Sequence, residues 1–426
     1  MIDTLGSPWL AYAVLVITTV AARLRCGSWI APAAFVGLVW TFFIGASLAI
    51  ADYSVPGCGL WMLVLLIVAI QFGALIAHEL YPQYKGGLLS ESPTTLGSLV
   101  APCRFYGLLC AAVAFAGCIY FLFTSLQEFD LPFTWLGVLE VGARWTGLRN
   151  EDAFEPWSVR LLVTWFHPAC LLGGILFACS QRRRDRVIGV VTILPSIAYG
   201  LLTGARAAIL LGLTCWFGGY VSTLSTGSQN GLAVFTRKRV GLLLLGAVSM
   251  VAMFSSIDAI RDTSWSHELI FNVEGQKLSN YIFGPPAAFA EWYAHFDSSP
   301  ALWGARTFAG EFDLLHLKAR VIGTYMDKTN IVGTESTNVY TLFRGLIEDF
   351  TGYGATLSAI LIGVSIGSVY ANRGRHARRS MFWLSMFYSA FLFSPLVSLF
   401  SFNGAALAWV VGGLILITNR PAQHRP

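Results

Sequence analysis

The sequence predicts an all-α polytopic membrane protein with about eleven transmembrane helices, and three observations predict it. Runs of roughly 16 to 23 apolar residues recur from Pro8 to Thr418, and a helix needs about 20 apolar residues to cross the hydrocarbon core. Only 12% of the residues are charged while 55% are apolar, with a mean hydropathy of +0.63; a soluble domain carries roughly twice that charge. Basic residues fill every second gap between the apolar runs, as they do when Lys and Arg stay on the cytoplasmic side. The net charge of +5 is spread over short gaps, so the expected surface partner is the lipid bilayer and not nucleic acid.

The apolar segments fall at about 8–22, 29–50, 58–77, 102–124, 157–180, 187–203, 207–223, 240–256, 346–370, 381–398 and 402–418. With the amino terminus outside, the inner gaps hold Arg23 and Arg25; Lys85 and Arg104; Arg182, Arg183, Arg184 and Arg186; Arg237, Lys238 and Arg239; and Arg373, Arg375, Arg378 and Arg379. Arg420 and Arg425 follow the last segment. These are 17 of the 28 basic residues, set against three acids, Glu79, Glu91 and Asp185. The opposite topology reverses every gap. The amino terminus is therefore expected outside and the carboxyl terminus in the cytoplasm.

The first segment lacks a basic region before it and has basic residues after it, which fits a first span better than a cleaved leader. The eight cysteines lie in or beside the spans. No Cys/His spacing resembles a metal site, and buried cysteine packs as a small apolar residue. Two outer segments exceed a turn: 125–156, and 257–345, which is about 90 residues long. A structureless loop of that length is unusual. Pro285-Pro286 can open a helix, after which Ala288, Phe289, Trp292, Tyr293 and Phe296 recur at three and four residues. Phe312, Leu315 and Ala319 predict a second helix over Phe308–Arg320. Both are expected as amphipathic helices on the outer membrane face, with rings at headgroup level; a folded cap that never touches lipid is the alternative. The chain thus divides into helices 1–8 at 1–256, a loop subdomain at 257–345, and helices 9–11 with a short tail at 346–426.

Charges beside spans point to the site, because Arg at the centre of a bilayer helix costs roughly 3 kcal/mol on insertion scales and faces a cavity or a partner. Arg206 stands in Thr203-Gly204-Ala205-Arg206-Ala207 between two short apolar runs. Small neighbours permit a tight turn and leave a planar guanidinium suited to phosphate; snorkelling to headgroups is the alternative. The second constellation is Thr337-Asn338-Val339-Tyr340-Thr341-Leu342-Phe343-Arg344-Gly345, running on through Glu348-Asp349-Phe350 to Gly352 and Gly354. Tyr340, Arg344 and Glu348 recur every four residues and share a face if helical, with Asp349 turned about 100° away. An Arg and a carboxylate so placed can also simply pair with each other.

A long outer loop that ends in Asn-Val-Tyr-Thr-x-x-Arg-x-x-x-x-Asp-Phe, followed by Gly and a span, resembles the oligosaccharide repeat-unit polymerases, the Wzy-type polymerases of O-antigen and exopolysaccharide. The Gly204-Ala205-Arg206 turn is similar to that family's small-Gly-x-Arg turn, and the eleven-span layout fits. Gly345 departs from the family, where Pro follows the Arg. The resemblance implies a GT-C-like architecture in the bacterial inner membrane. It also implies an undecaprenyl-pyrophosphate-linked oligosaccharide presented on the outer face, and a polysaccharide chain-length regulator as a possible partner.

The residues suit that reaction. The lipid pyrophosphate leaving group needs charge stabilisation, for which Arg206 and Arg344 come first, then Arg261, Arg144 and Arg149. No Asp-x-Asp occurs in the outer loops, Glu311-Phe-Asp313 being the nearest spacing, so arginine clamping without a metal or other cofactor is expected. A general base must take the acceptor hydroxyl proton; Asp349 and Glu348 lead, then Glu274 and His167. His167, within a span, is alternatively a packed, hydrogen-bonded residue, and Glu274 a solvated loop acid. Direct displacement inverts the anomeric centre. Tyr281, Trp292, Tyr293, Trp303 and Tyr340, with Asn338, are candidates to bind sugar, or else to anchor the loop at the interface. Two rivals remain open: an O-antigen ligase that transfers to a lipid A core, and a non-enzymatic flippase for the same lipid-linked sugar.

Overall fold

The computed structural model describes residues 7–49, 53, 55–81, 97–150, 155–227, 279–297, 300–319, 325, 327–332 and 335–418. Eight helices among them are long and apolar enough to cross a membrane: Pro8–Cys26, Pro32–Ala49, Gly57–Leu80, Val100–Glu128, Trp157–Cys179, Arg183–Thr203, Arg206–Gly227 and Leu342–Ala371. The chain is an all-α, multi-pass membrane protein. A two-stranded antiparallel ribbon, Thr329–Val332 with Glu335–Thr337, interrupts the helical pattern. The expected segment 240–256 lies outside the described residues. Segment 381–398 corresponds to a 17-residue helix, Ala377–Phe393, and segment 402–418 to the shorter apolar helix Asn403–Ile417.

Two spans expected to be continuous are broken. Trp157–Val163 ends before Phe166–Cys179, and Arg183–Val191 ends before Leu194–Thr203. Each break lies four residues before a proline. A proline ring clashes with the carbonyl four residues back and offers no N–H to it, which places the breaks at Thr164 for Pro168 and at Val191 for Pro195.

The chain forms two compact units. In the first, residues 1–91, 225–232 and 279–406, the main contact is backbone against backbone between Gly57–Leu80 and Leu342–Ala371. A Cβ at Gly73 would collide with the Ile360 carbonyl oxygen, and one at Gly363 with that of Ile70. Glycine is required there; close approach of membrane helices in general favours small residues. Gln71, only 2% exposed, ties two further helices to this pair by donating to Thr19 Oγ1 at 3.1 Å and the Ala33 carbonyl at 3.2 Å.

Both loop helices differ from expectation. Pro285–Ala294 does begin at its proline, but Pro285 through Ala290 are all buried, and Ala290 lies against Gly59 of the Gly57–Leu80 helix. The stretch Pro-Pro-Ala-Ala-Phe-Ala has no polar face, so this part of the helix packs into the bundle on every side. The second helix covers only Ala309–Leu314. His316 at φ 54 stops it, with Leu317 N–H donating to the Phe312 carbonyl and His316 N–H to that of Asp313, the paired bonds of a Schellman ending. Residues 315 and 319 therefore lie beyond the helix that their spacing suggested.

The Leu342–Ala371 helix is itself broken. Thr351 sits at φ 62, ψ 175, a region that only glycine enters without strain, at a cost of roughly 1–3 kcal/mol. Leu342 through Asp349 are buried on one side of the break, while Tyr353 beyond it is exposed.

The second unit, residues 92–224, 233–278 and 407–426, is built around Val100–Glu128 and Phe166–Cys179. Asp185, buried, accepts from Ser180 Oγ at 2.9 Å and pairs with Arg104 at 3.2 Å. Trp145 Nε1 donates to Ser125 Oγ at 2.8 Å, fastening the helix Trp135–Asn150 to Val100–Glu128. Most of the described residues of segment 125–156 are thus helical.

Replacing Gly363 by Val is expected to destabilise the protein by about 1–3 kcal/mol, the usual cost of overpacking, because the obstructing atom is backbone. A Cβ at Gly352 meets only the Met62 methyl at 3.6 Å, so Gly352→Ala is expected to change little at that contact. Thermal melts of the two variants in detergent check both; equal melts would sink the packing argument.

Candidate functional site

The charged cluster of the first unit begins at the Thr351 break. A helix that stops leaves carbonyls without donors. Here the Glu348 and Asp349 carbonyls accept from the Leu302 and Trp303 amides at 3.2 and 3.1 Å. The Asp349 side chain completes the join. Its two oxygens accept from the Arg306 amide at 2.9 Å and the Thr307 amide at 2.7 Å, and the residue is wholly buried. Four hydrogen bonds thus stitch residues 302–307 to the end of the helix, and Ser398 Oγ ties the same segment to another part of the chain by donating to the Thr307 carbonyl at 2.7 Å.

This join brings Arg306 to Glu348, whose Oε2 lies 3.1 Å from Arg306 Nε. Arg344, one turn back along the helix, donates through Nε to Glu348 Oε1 at 2.8 Å and through Nη2 to Asp327 Oδ2 at 2.8 Å. The result is a chain of alternating charge, Arg306–Glu348–Arg344–Asp327. Aromatic rings enclose it. The Arg344 guanidinium carbon lies 4.0 Å from the Tyr325 ring centre, 4.1 Å from that of Tyr340 and 4.8 Å from that of Trp292, a cation held over π-faces. Its Nη1, buried, has no hydrogen-bond acceptor among the described residues; ring faces are weak acceptors for such an N–H. Burial and the Glu348 charge both push the Tyr325 phenol up from its ordinary value, so it stays neutral beside the carboxylate. Tyr340 is held by Thr329 Oγ1 at 2.6 Å and by the Asp327 carbonyl at 3.2 Å, which links the ribbon to the cluster.

Exposure separates the two arginines. The Arg344 side chain is 5% exposed and that of Arg306 is 34% exposed. Burying an unpaired guanidinium is costly, and removing one partner of such a pair costs about 3–5 kcal/mol. Arg344 is thus fixed by its surroundings, and Arg306 is the cation of the cluster with surface to offer.

The sequence-derived candidates divide accordingly. Arg344, Glu348, Asp349, Tyr340 and Asn338 come together in the first unit, Asn338 Nδ2 donating to the Tyr325 carbonyl at 3.4 Å. The expected stack of Tyr340, Arg344 and Glu348 forms, although Tyr340 precedes the helix, which starts at Leu342. Of the aromatic candidates, Trp292 packs on Arg344, Tyr281 and Tyr293 are half-buried, and Trp303 is 77% exposed. Arg206, Arg144, Arg149 and His167 belong to the second unit. Arg206 begins a helix directly after Gly204, which caps the preceding helix at φ 61, so the expected tight turn is present. Arg144 pairs with Glu140 at 2.7 Å and donates to the Phe129 carbonyl at 3.0 Å, ties that hold its own helix. Arg149 lies on that same helix. His167 is buried, with Nδ1 3.0 Å from the Thr164 carbonyl and its ring stacked on Phe166, the packed alternative considered above. Arg261 and Glu274 lie outside the described residues.

Arg306, Tyr325 and Asp327 were not legible as partners, because no helical or strand spacing connects them to residue 344. One signal was available for Arg306. The tripeptide Gly-Ala-Arg occurs at 142–144, 204–206 and 304–306. Gly204 and Gly304 both have positive φ, at 61 and 94, so the second and third copies use the glycine to turn the chain just before the arginine.

Two predictions follow from this geometry. Asp349→Asn keeps the shape but presents an NH2 where an amide donor now points. It is expected to cost about 1–3 kcal/mol and to speed hydrogen exchange at Arg306 and Thr307; unchanged exchange there would remove Asp349 from this role. The second concerns Glu311, whose carboxyl burial pushes up from 4.5 to about 7. The folded protein therefore holds this proton more tightly than the unfolded chain. Its contribution to stability is full below the ordinary carboxylate range and is lost as pH rises through about 7. Melting temperature is expected to decline between about pH 5 and pH 8, and less steeply in Glu311→Gln.

No protein-family model, curated protein or solved structure matches this chain.

Proposed function

We propose that the protein is a membrane glycosyltransferase that polymerises undecaprenyl-pyrophosphate-linked oligosaccharide repeat units into a surface polysaccharide on the outer face of the bacterial inner membrane. The observation that carries this reading is the Arg306–Glu348–Arg344–Asp327 chain inside its aromatic box, at the outer end of a membrane helix on the charge-derived topology. It offers what the transfer needs: guanidinium groups for a diphosphate and a carboxylate held beside them. The wider reading has eleven spans in a GT-C-like arrangement, with the amino terminus periplasmic and the carboxyl terminus cytoplasmic. It rests on the sequence pattern, with 240–256, 381–398 and 402–418 as the three spans beyond the eight long helices.

In the proposed step the acceptor hydroxyl oxygen attacks the anomeric carbon of the growing chain. The bond from that carbon to the diphosphate breaks, its electron pair goes to the diphosphate oxygen, and a carboxylate takes the hydroxyl proton. Glu348 is the better base. Both Asp349 oxygens already accept backbone amides, which makes Asp349 a positioning residue. Arginine charge balances the negative charge that gathers on the leaving group, and no metal or other cofactor is invoked. Attack opposite the leaving group inverts the anomeric centre.

Purified protein with a synthetic polyprenyl-pyrophosphate oligosaccharide, with chelator present, is expected to give a ladder of products. Glu348→Gln is expected to slow its formation by roughly 10²- to 10⁴-fold, the range for loss of a general base, while substrate binding persists. Intact, substrate-binding protein that yields no ladder would move the assignment to a ligase or a flippase, and transfer to a lipid A core acceptor would then distinguish those two.

A further inference from the structure

We infer that Arg306, and not the more deeply buried Arg344, is the guanidinium that meets the donor's diphosphate, and that it does so by leaving Glu348. This rests on the polymerase reading of the cluster and names the contact that couples donor binding to the base. Three independent observations converge. Arg306 is 34% exposed where Arg344 is 5% exposed, so only Arg306 can reach a ligand without dismantling the aromatic box. Its backbone is fixed by the Asp349 carboxylate at 2.9 Å, which sets its side chain 3.1 Å from Glu348 and 5.6 Å from the centre of the Tyr325 ring. Its Gly304-Ala305-Arg306 turn repeats the positive-φ glycine of Gly204-Ala205-Arg206, presenting an arginine from a short turn instead of from mid-helix.

The exchange replaces one anion by another at Arg306. A diphosphate is a stronger anion than one carboxylate and accepts both guanidinium edges, so it replaces Glu348 at Arg306. Glu348 keeps Arg344 on Oε1 and has Oε2 released. An empty site thus holds its base in an ion pair, and a loaded site frees one oxygen to accept the acceptor's proton. Arg344 acts as a positioning residue: it keeps Glu348 in place while Arg306 departs.

The test uses the full-length protein in nanodiscs with farnesyl diphosphate as probe, farnesyl monophosphate as comparison, and wild type, Arg306→Ala, Arg306→Lys and Arg344→Lys as proteins. Arg306→Ala is expected to bind the diphosphate about tenfold or more weakly with a melting temperature close to wild type. Arg306→Lys should recover part of that affinity. Arg344→Lys should lower the melting temperature more than any Arg306 variant, because it empties the aromatic box. Wild-type affinity in Arg306→Ala would overturn the inference while leaving the polymerase reading standing. Failure of wild type to prefer the diphosphate over the monophosphate would overturn both.

Discussion

The break in the Leu342–Ala371 helix at Thr351 sets the geometry on which the charged cluster depends. A continuous helix would close the Glu348 and Asp349 carbonyls with its own next turn. The positive φ at Thr351 takes that turn away, and buried carbonyls must then find other donors. They find Leu302 and Trp303, and the Asp349 side chain adds Arg306 and Thr307. One strained residue thereby recruits a segment more than 40 residues upstream and delivers a second arginine to Glu348. Strain of roughly 1–3 kcal/mol is offset by hydrogen bonds that each contribute about 1 kcal/mol, and more where a carboxylate accepts.

The break would be of little use on a helix free to shift. The glycine contact with Gly57–Leu80 holds it, since Gly73 and Gly363 leave no space between the two backbones. In lipid there is little hydrophobic gain from helix association, so close packing has to supply it. The same helix Gly57–Leu80 receives Pro285–Ala294 at Gly59, and that helix carries Trp292 to the face of Arg344. Apolar packing in the bundle and charge in the cluster are thus built on one pair of helices.

Within the cluster each charge is restrained by the next. Two guanidinium groups, two carboxylates and three rings form a network buried at Arg344 and Glu348, where loss of either leaves the other uncompensated. Such a network is rigid at Arg344 and opens toward solvent at Arg306. The aromatic residues were read from the sequence as sugar platforms or interface anchors; Trp292 and Tyr340 instead wall in a cation, and the exposed Trp303 is left for either of the former tasks.

The sequence by itself determined the class of the protein, the place of most long helices and one end of the site. Apolar length and charge alternation are local properties, and the four-residue spacing of Arg344 and Glu348 needs nothing but a helix to bring them together. The proline breaks at Thr164 and Val191 are also local consequences, readable once the four-residue reach of the proline ring is applied to Pro168 and Pro195. Tertiary structure alone decided the rest. That Pro285–Ala294 docks against Gly59 depends on the surface another helix presents. Only the fold distinguishes Asp349 from Glu348, by setting backbone amides on both Asp349 oxygens. Arg306, Tyr325 and Asp327 join Arg344 only because the chain folds back between them, and such long-range pairings leave no period in the sequence to find them by.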